Sequence, residues 1–122
     1  MNKKSEKRAL LGFHNTRYMG ILTEVFKREN YEVDCALTLG KMLAFAENKN
    51  YDVYYMDINL GSPNSPDASP CAAVFNAVRE NVDGGLARFL AVSSNELAVS
   101  DTRARGIPAR VKFDADFREL LL

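Results

Sequence analysis

Residues 51–61, YDVYYMDINLG, form a short apolar run that ends on the carboxylate of Asp57 and passes directly into a turn sequence. Such a run bounded by turn residues is typical of a buried strand in a parallel sheet, so we predict a strand over residues 52–57. A carboxylate at the end of a buried strand is costly to remove from water unless it is paired or used in chemistry. Asp57 is therefore the first candidate functional residue.

The rest of the chain alternates between short apolar strands and helical patterns. Further strands are predicted over residues 8–13, 31–36, 87–93 and 109–113, and helices over residues 16–29, 39–48, 70–82, 96–105 and 117–122. Ser69 is expected to be the N-cap of the third helix, with Pro70 as its first residue. The alternation predicts a flexible tail over residues 1–7, followed by a single α/β domain over residues 8–122. Its core is expected to be a doubly wound, five-stranded parallel sheet with helices on both faces.

The composition excludes several classes of protein. The chain has 122 residues, enough for one compact domain, and its 16 basic and 16 acidic side chains cancel. No general attraction to nucleic acid or to anionic lipid is expected from this balance. No apolar run is long enough to span a membrane, and no apolar signal core follows the basic start. Cys35 and Cys71 have neither metal-site nor disulfide-framework spacing, which favours a reduced, cytoplasmic setting.

Polar side chains stand at the carboxyl ends of several predicted strands. His14 and Asn15 follow the first strand, Asp57 ends the third, Ser93 ends the fourth and Lys112 lies in the fifth. In an open parallel sheet, ligands bind outside the carboxyl ends of the strands, where the strand order reverses. These five residues are distant in sequence, but this topology would gather them in one cleft.

The run Met56-Asp57-Ile58-Asn59-Leu60, with Ser93 and Lys112 in order behind it, resembles a CheY-like response-regulator receiver domain over essentially the whole chain. The resemblance implies the flavodoxin-like strand order 2-1-3-4-5, which periodicity alone does not fix. It implies that Asp57 accepts a phosphoryl group and that Ser93 and Lys112 contact it. It also implies a magnesium site for which Asp57 and Asn59 would supply ligands.

The family's acidic pair after the first strand is absent. Phe13 and His14 align with it, and a one-residue slip would instead place His14 and Asn15 there, so neither alignment leaves a carboxylate. Because Mg²⁺ prefers carboxylate and water oxygens, its binding is expected to be weak or absent, and no other cofactor is expected. Asn64 or Asp67, in the long loop after the third strand, would have to fold back to replace a lost ligand.

Each candidate residue also has a purely structural interpretation. Asp57 and Lys112 can form an ion pair that offsets the cost of burying both charges. The Ser93 hydroxyl can cap the turn that follows it. His14 can be an ordinary hydrogen-bonding residue at a strand end, or its cationic form can pair with Asp57 in place of a metal.

The leading hypothesis is a stand-alone, atypical receiver domain, a pseudo-receiver, that is not an enzyme and acts in two-component signalling through protein–protein contact. The expected partner is a signalling protein or a second copy of the chain, docked on the fourth helix, fifth strand and fifth helix. The alternative is a competent receiver that is phosphorylated on Asp57 by a histidine kinase or a phosphotransfer protein. A flavodoxin-like small-ligand binder ranks below both, because no glycine-rich phosphate-binding loop follows the first strand.

Overall fold

The computed structural model describes residues 7–61, 67–112, 118 and 120. The predicted tail apart from Lys7, the loop residue Asn64, and the predicted last helix apart from residues 118 and 120 lie outside this part of the chain. The strands are β1 (Lys7–Gly12), β2 (Tyr31–Ala36), β3 (Val53–Asp57), β4 (Arg88–Ser93) and β5 (Ala109–Val111). The helices are α1 (Thr16–Arg28), α2 (Leu39–Asn48), α3 (Ser69–Asp83) and α4 (Glu96–Ala104).

The described strands form one parallel sheet in the order β2-β1-β3-β4-β5. This order confirms the predicted doubly wound topology. The strand order reverses at β1, because β2 lies on one side of it and β3, β4 and β5 follow on the other. The carboxyl ends of β1 and β3 therefore flank the crevice in which such sheets place their sites.

Side chains that alternate along the strands feed two cores, one on each face of the sheet. In β3, Tyr54 and Met56 join the core formed with α2, α3 and α4. Val53 and Tyr55 join the core formed with α1, which also includes Leu120. The sheet is thus covered on both faces, as predicted. No helix in the described part of the chain is long and apolar enough to cross a membrane.

Many predicted element boundaries differ from the observed ones by one or two residues, and two of these differences involve residues named above. Ser69 is the first residue of α3 rather than its N-cap. The N-cap position is Ala68, which makes no side-chain cap hydrogen bond. Just before it, Asp67 Oδ1 accepts hydrogen bonds from the Ser69 amide at 2.9 Å and from its hydroxyl at 2.8 Å. These bonds lower the pKa of the Asp67 carboxyl, because they favour its charged form. Strand β5 ends at Val111, so Lys112 follows the strand instead of lying within it.

Candidate functional site

The candidate site lies at the carboxyl ends of the central strands. Gly12 of β1 is the register partner of Met56 in β3, so the chain after each strand emerges at the same edge. His14 lies two residues beyond β1, Asp57 ends β3, and Lys112 directly follows β5. The structure brings these three side chains into contact, although they come from three different parts of the sequence.

Both carboxylate oxygens of Asp57 accept hydrogen bonds from the chain's own nitrogens. Oδ1 lies 3.2 Å from Lys112 Nζ. Oδ2 accepts the His14 backbone N–H at 2.9 Å and lies 2.9 Å from His14 Nδ1. The Asp57 side chain is only 5% exposed, so these donors supply the compensation that a buried carboxylate requires.

His14 has a second contact on the other side of its ring. The backbone N–H of Gly61 donates to His14 Nε2 at 2.8 Å. The imidazole therefore connects the segment after β1 with both the end of β3 and the turn that follows it. Its side chain is 26% exposed, less enclosed than that of Asp57.

Phe13 occupies the other position that the resemblance assigns to an acid, and its ring lies in the core. It is fully buried and makes edge contacts with Tyr18 and Tyr55, at centroid distances of 5.2 and 4.9 Å. Lys112 Nζ lies 5.8 Å from the ring centroids of both Phe13 and Tyr18. The electron-rich ring faces attract the ammonium group and help to hold it beside Asp57.

Ser93 ends β4 and is buried, but its described hydrogen bond points along its own chain. Its Oγ accepts the backbone N–H of Asn95 at 3.0 Å. Asn95 is in turn the N-cap of α4, and its side chain accepts from the amides of Leu97 and Ala98. Ser93 is thus linked to the start of α4 through one turn, the arrangement expected from its structural interpretation.

The remaining candidate residues take different positions. Asn15 is exposed and caps α1, because its Oδ1 accepts the amide of Tyr18 at 3.0 Å. Asn59 is buried in the turn after β3. Asp67 accepts hydrogen bonds from Ser69 and so contributes to the start of α3. Asn64 lies outside the described residues.

The donor set around Asp57 differs from the oxygen-rich set that Mg²⁺ prefers. It contains one carboxylate, which faces nitrogen donors on both oxygens, beside an imidazole and a buried phenyl ring. Among the residues that the structure describes, no three His, Cys, Asp or Glu side chains converge as a metal site.

Two contributors to the site are not found by inspection of the sequence. Gly61 acts through its backbone N–H, which leaves no residue-type signal. Tyr18 lies on α1 and reaches the site through its ring and through a 3.0 Å contact between its hydroxyl and that of Tyr55. The burial of Phe13, by contrast, could have been read from the sequence. Leu11 and Phe13 are two residues apart, so they lie on the same face of an extended segment.

Neither the models of protein families nor the sequences of curated proteins match this chain. Its fold does match solved structures. A CheY-like response-regulator receiver domain from Methanospirillum hungatei JF-1 is 25% identical, with a TM-score of 0.68 over 96% of this chain and 89% of its own. The chain has the fold of a response-regulator receiver domain.

Two other solved structures with the receiver fold are described with bound metal ions. A response regulator from Burkholderia pseudomallei, solved with a phosphorylated aspartic acid, a calcium ion and citrate, is 20% identical with a TM-score of 0.72. The match covers 95% of this chain, which spans 65% of that protein's length. The receiver domain of a Pseudomonas aeruginosa PAO1 sensor histidine kinase, with magnesium in its active-site cleft, is 17% identical. Its TM-score is 0.63 over 95% of this chain and 92% of its own.

Proposed function

We propose that this receiver fold acts in two-component-type signalling through protein–protein contact, with magnesium-dependent phosphorylation of Asp57 impaired or absent. One observation carries the proposal: the chain's own nitrogen donors already engage both oxygens of Asp57. Within the described part of the chain, Asp57 belongs to no group of three His, Cys, Asp or Glu side chains that could hold a metal ion. Two of the solved receiver folds that match this chain are described with a metal ion, a calcium ion in one and a magnesium ion in the active-site cleft of the other.

The energetics of phosphoryl transfer support this proposal. To attack phosphorus, an Asp57 oxygen would have to give up one or more hydrogen bonds to charged or polar donors, each worth about 1.5–3 kcal/mol when an ion is involved. The transferred group carries negative charge, which magnesium normally neutralises while also bridging the oxygens. Here Lys112 is the only described cation that contacts Asp57 and could offset that charge.

The proposed docking surface consists of α4 and β5. Leu97 on α4 is 76% exposed, the largest exposure among the large apolar side chains described. The same helix and its end carry both acids and bases, with Arg105 Nη2 lying 3.4 Å from Asp101 Oδ2. A surface with both charge signs around an apolar centre can pair with itself across a two-fold axis, so we propose a second copy of the chain as the occupant.

Self-association tests the docking surface directly. Sedimentation velocity over a range of protein concentrations should show a dimer that Leu97→Glu weakens. Ile21→Glu is the matched control, because Ile21 is also exposed, at 57%, but lies on α1. A chain that stays monomeric at all concentrations, or a dimer that only Ile21→Glu weakens, would contradict this surface.

The competing function is a receiver that accepts a phosphoryl group on Asp57 from a histidine kinase or a phosphotransfer protein. The retained contact between Lys112 Nζ and Asp57 Oδ1 favours it, because a lysine at that place can hold a phosphate oxygen. The two functions predict opposite responses to a phosphoryl mimic.

Magnesium with beryllofluoride separates the two functions. Amide spectra of the wild-type chain should show no saturable shift at Asp57, Ser93 or Lys112. Asp57→Asn is the control, since it keeps the side-chain shape and removes the nucleophile. Saturable shifts at these three residues that disappear in Asp57→Asn would overturn the proposed function and support phosphorylation.

A further inference from the structure

The imidazole of His14 forms a bridge whose two ends require different protonation. At one end, Nδ1 lies 2.9 Å from the ionisable carboxylate of Asp57, which acts as a hydrogen-bond acceptor. At the other end, the Gly61 N–H donates to Nε2 at 2.8 Å, so Nε2 must present its lone pair. Only the neutral ring with its proton on Nδ1 satisfies both contacts.

We propose that His14 is a positioning residue, held by Asp57 as the Nδ1-protonated neutral tautomer, that fixes the turn after β3 through Gly61. The hydrogen bond at one imidazole nitrogen decides which nitrogen carries the proton, so the two ends are coupled. Removing the acceptor at residue 57 should therefore weaken the hydrogen bond between Gly61 N–H and His14 Nε2, although residue 57 takes no part in that bond. The proposal goes beyond docking and phosphorylation, and it stands whichever of those functions holds.

The backbone conformation at Gly61 directs its N–H toward His14 Nε2. Gly61 has φ of +93°, a left-handed conformation that glycine adopts without steric cost. The preceding Leu60 is 1% exposed and packs over Gly12, where an added Cβ would lie 3.0 Å from Leu60 Cδ2 and 2.7 Å from Met42 Sδ. The bare backbone of Gly12 therefore lets the turn approach the end of β1, next to His14.

Nitrogen spectroscopy of the imidazole tests the tautomer without any mutation. His14 is the only histidine in the chain, so a histidine-labelled sample gives one imidazole to assign. The ¹⁵N spectrum near neutral pH should show a protonated Nδ1 and an unprotonated Nε2. A proton found on Nε2, or two nitrogens averaged between both tautomers, would overturn the proposal.

Two isosteric variants separate the two ends of the bridge. His14→Asn places an amide where Nδ1 lies and leaves nothing at Nε2, so Gly61 should lose its acceptor and its amide should exchange roughly threefold to tenfold faster. His14→Gln reaches the Nε2 position, so it should keep more of the Gly61 protection. Equal exchange at Gly61 in wild type and His14→Asn would contradict the bridge.

Coupling between the two ends is tested at residue 57. Asp57→Ala removes the acceptor for Nδ1, so the tautomer preference should fall and the Gly61 amide should exchange faster. Asp57→Asn is the matched control, because its side-chain oxygen still accepts from Nδ1 and should preserve the tautomer. If Asp57→Ala leaves the ¹⁵N pattern unchanged, Asp57 does not hold the tautomer. A beryllofluoride response would test the proposed function separately and would leave these results valid.

Discussion

Two acidic residues in this fold have nearly the same partners but different surroundings. Asp57 contacts Lys112 Nζ at 3.2 Å and His14 Nδ1 at 2.9 Å. Asp34, on the edge strand β2, contacts Lys49 Nζ at 3.1 Å and the Tyr51 hydroxyl at 2.6 Å. The Asp34 side chain is 29% exposed and that of Asp57 only 5%. Each acid thus pairs with a lysine and one further side-chain donor, and the clearest difference between them is the deeper burial of Asp57.

Asp34 shows what an acid does when it only joins two segments. Burial alone would raise its pKa, but the hydrogen bonds from Tyr51 and Lys49 together lower it. Burial, with a smaller contribution from the bond to Asp34, raises the pKa of the Tyr51 hydroxyl. These contacts join β2 to the segment after α2. A lysine and a second donor on an acid therefore indicate a structural pair as readily as a phosphoryl site.

The greatest loss of stability is expected when an acid is placed at residue 13. The receiver pattern has an acid at this position, whereas the surroundings of Asp34 contain no corresponding position to change. Phe13→Asp should destabilise the fold by about 3–5 kcal/mol, because it removes a buried ring and leaves a carboxylate in the core. Chemical denaturation measures this loss. Phe13→Leu is the apolar control, which keeps most of the buried volume without adding a charge and should cost clearly less than Phe13→Asp, about 1–2 kcal/mol. A mild loss in Phe13→Asp would mean that the side chain can turn into the cleft.

Removing the lysine from each pair compares the two acids directly. Lys112→Met should lower the free energy of unfolding by about 2–3 kcal/mol, because the buried carboxyl group of Asp57 loses its cationic partner. Lys49→Met should cost less than about 1 kcal/mol, since Asp34 remains accessible to water. Urea denaturation of both variants at neutral pH gives the difference. Equal losses would show that burial does not separate the two sites.

The smallest expected effect is the acid-range dependence contributed by Asp34. Its folded-state pKa lies below the ordinary 3.8, so the pair contributes stability above that value and loses it as the pH falls through the folded-state pKa. The stability difference between wild type and Asp34→Asn should therefore shrink below about pH 4, by less than about 1 kcal/mol. Denaturant midpoints measured across the acid range test the sign. A difference that grows on acidification would contradict it.

Some features of the fold could be predicted from the sequence more accurately than others. Strand β2 and helix α2 have the predicted limits because their signals are local. Apolar spacing marks both elements, and α2 begins after Thr38, a good capping residue whose side chain accepts the Lys41 amide. The strand order depends on non-local pairing, so it came from the family resemblance and was then confirmed by the sheet. The start of α3 was placed one residue late because the N-cap is Ala68, whose apolar side chain gives no capping signal, whereas Ser69 does.

The sequence predicted which residues form the site better than it predicted the contacts between them. The sequence named Asp57, His14 and Lys112, and the structure brings these three together. It did not reveal the Gly61 contact, because a backbone N–H has no side-chain signature and its direction depends on the path of the turn. It also placed Phe13 in the cleft, whereas the ring continues the buried strand face that holds Leu11.

We propose that an imidazole and a buried ring, in place of two acids, leave Asp57 without a magnesium site. The free energy of unfolding can be measured as a function of Mg²⁺ at constant ionic strength in wild type and in His14→Asp. We expect no Mg²⁺ dependence in wild type. In His14→Asp, which places a carboxylate beside Asp57, we expect a gain of about 1.4 kcal/mol for each tenfold rise in free Mg²⁺ above its Kd. Mg²⁺ stabilisation of the wild-type chain that disappears in Asp57→Asn would show that the native residues do form a magnesium site.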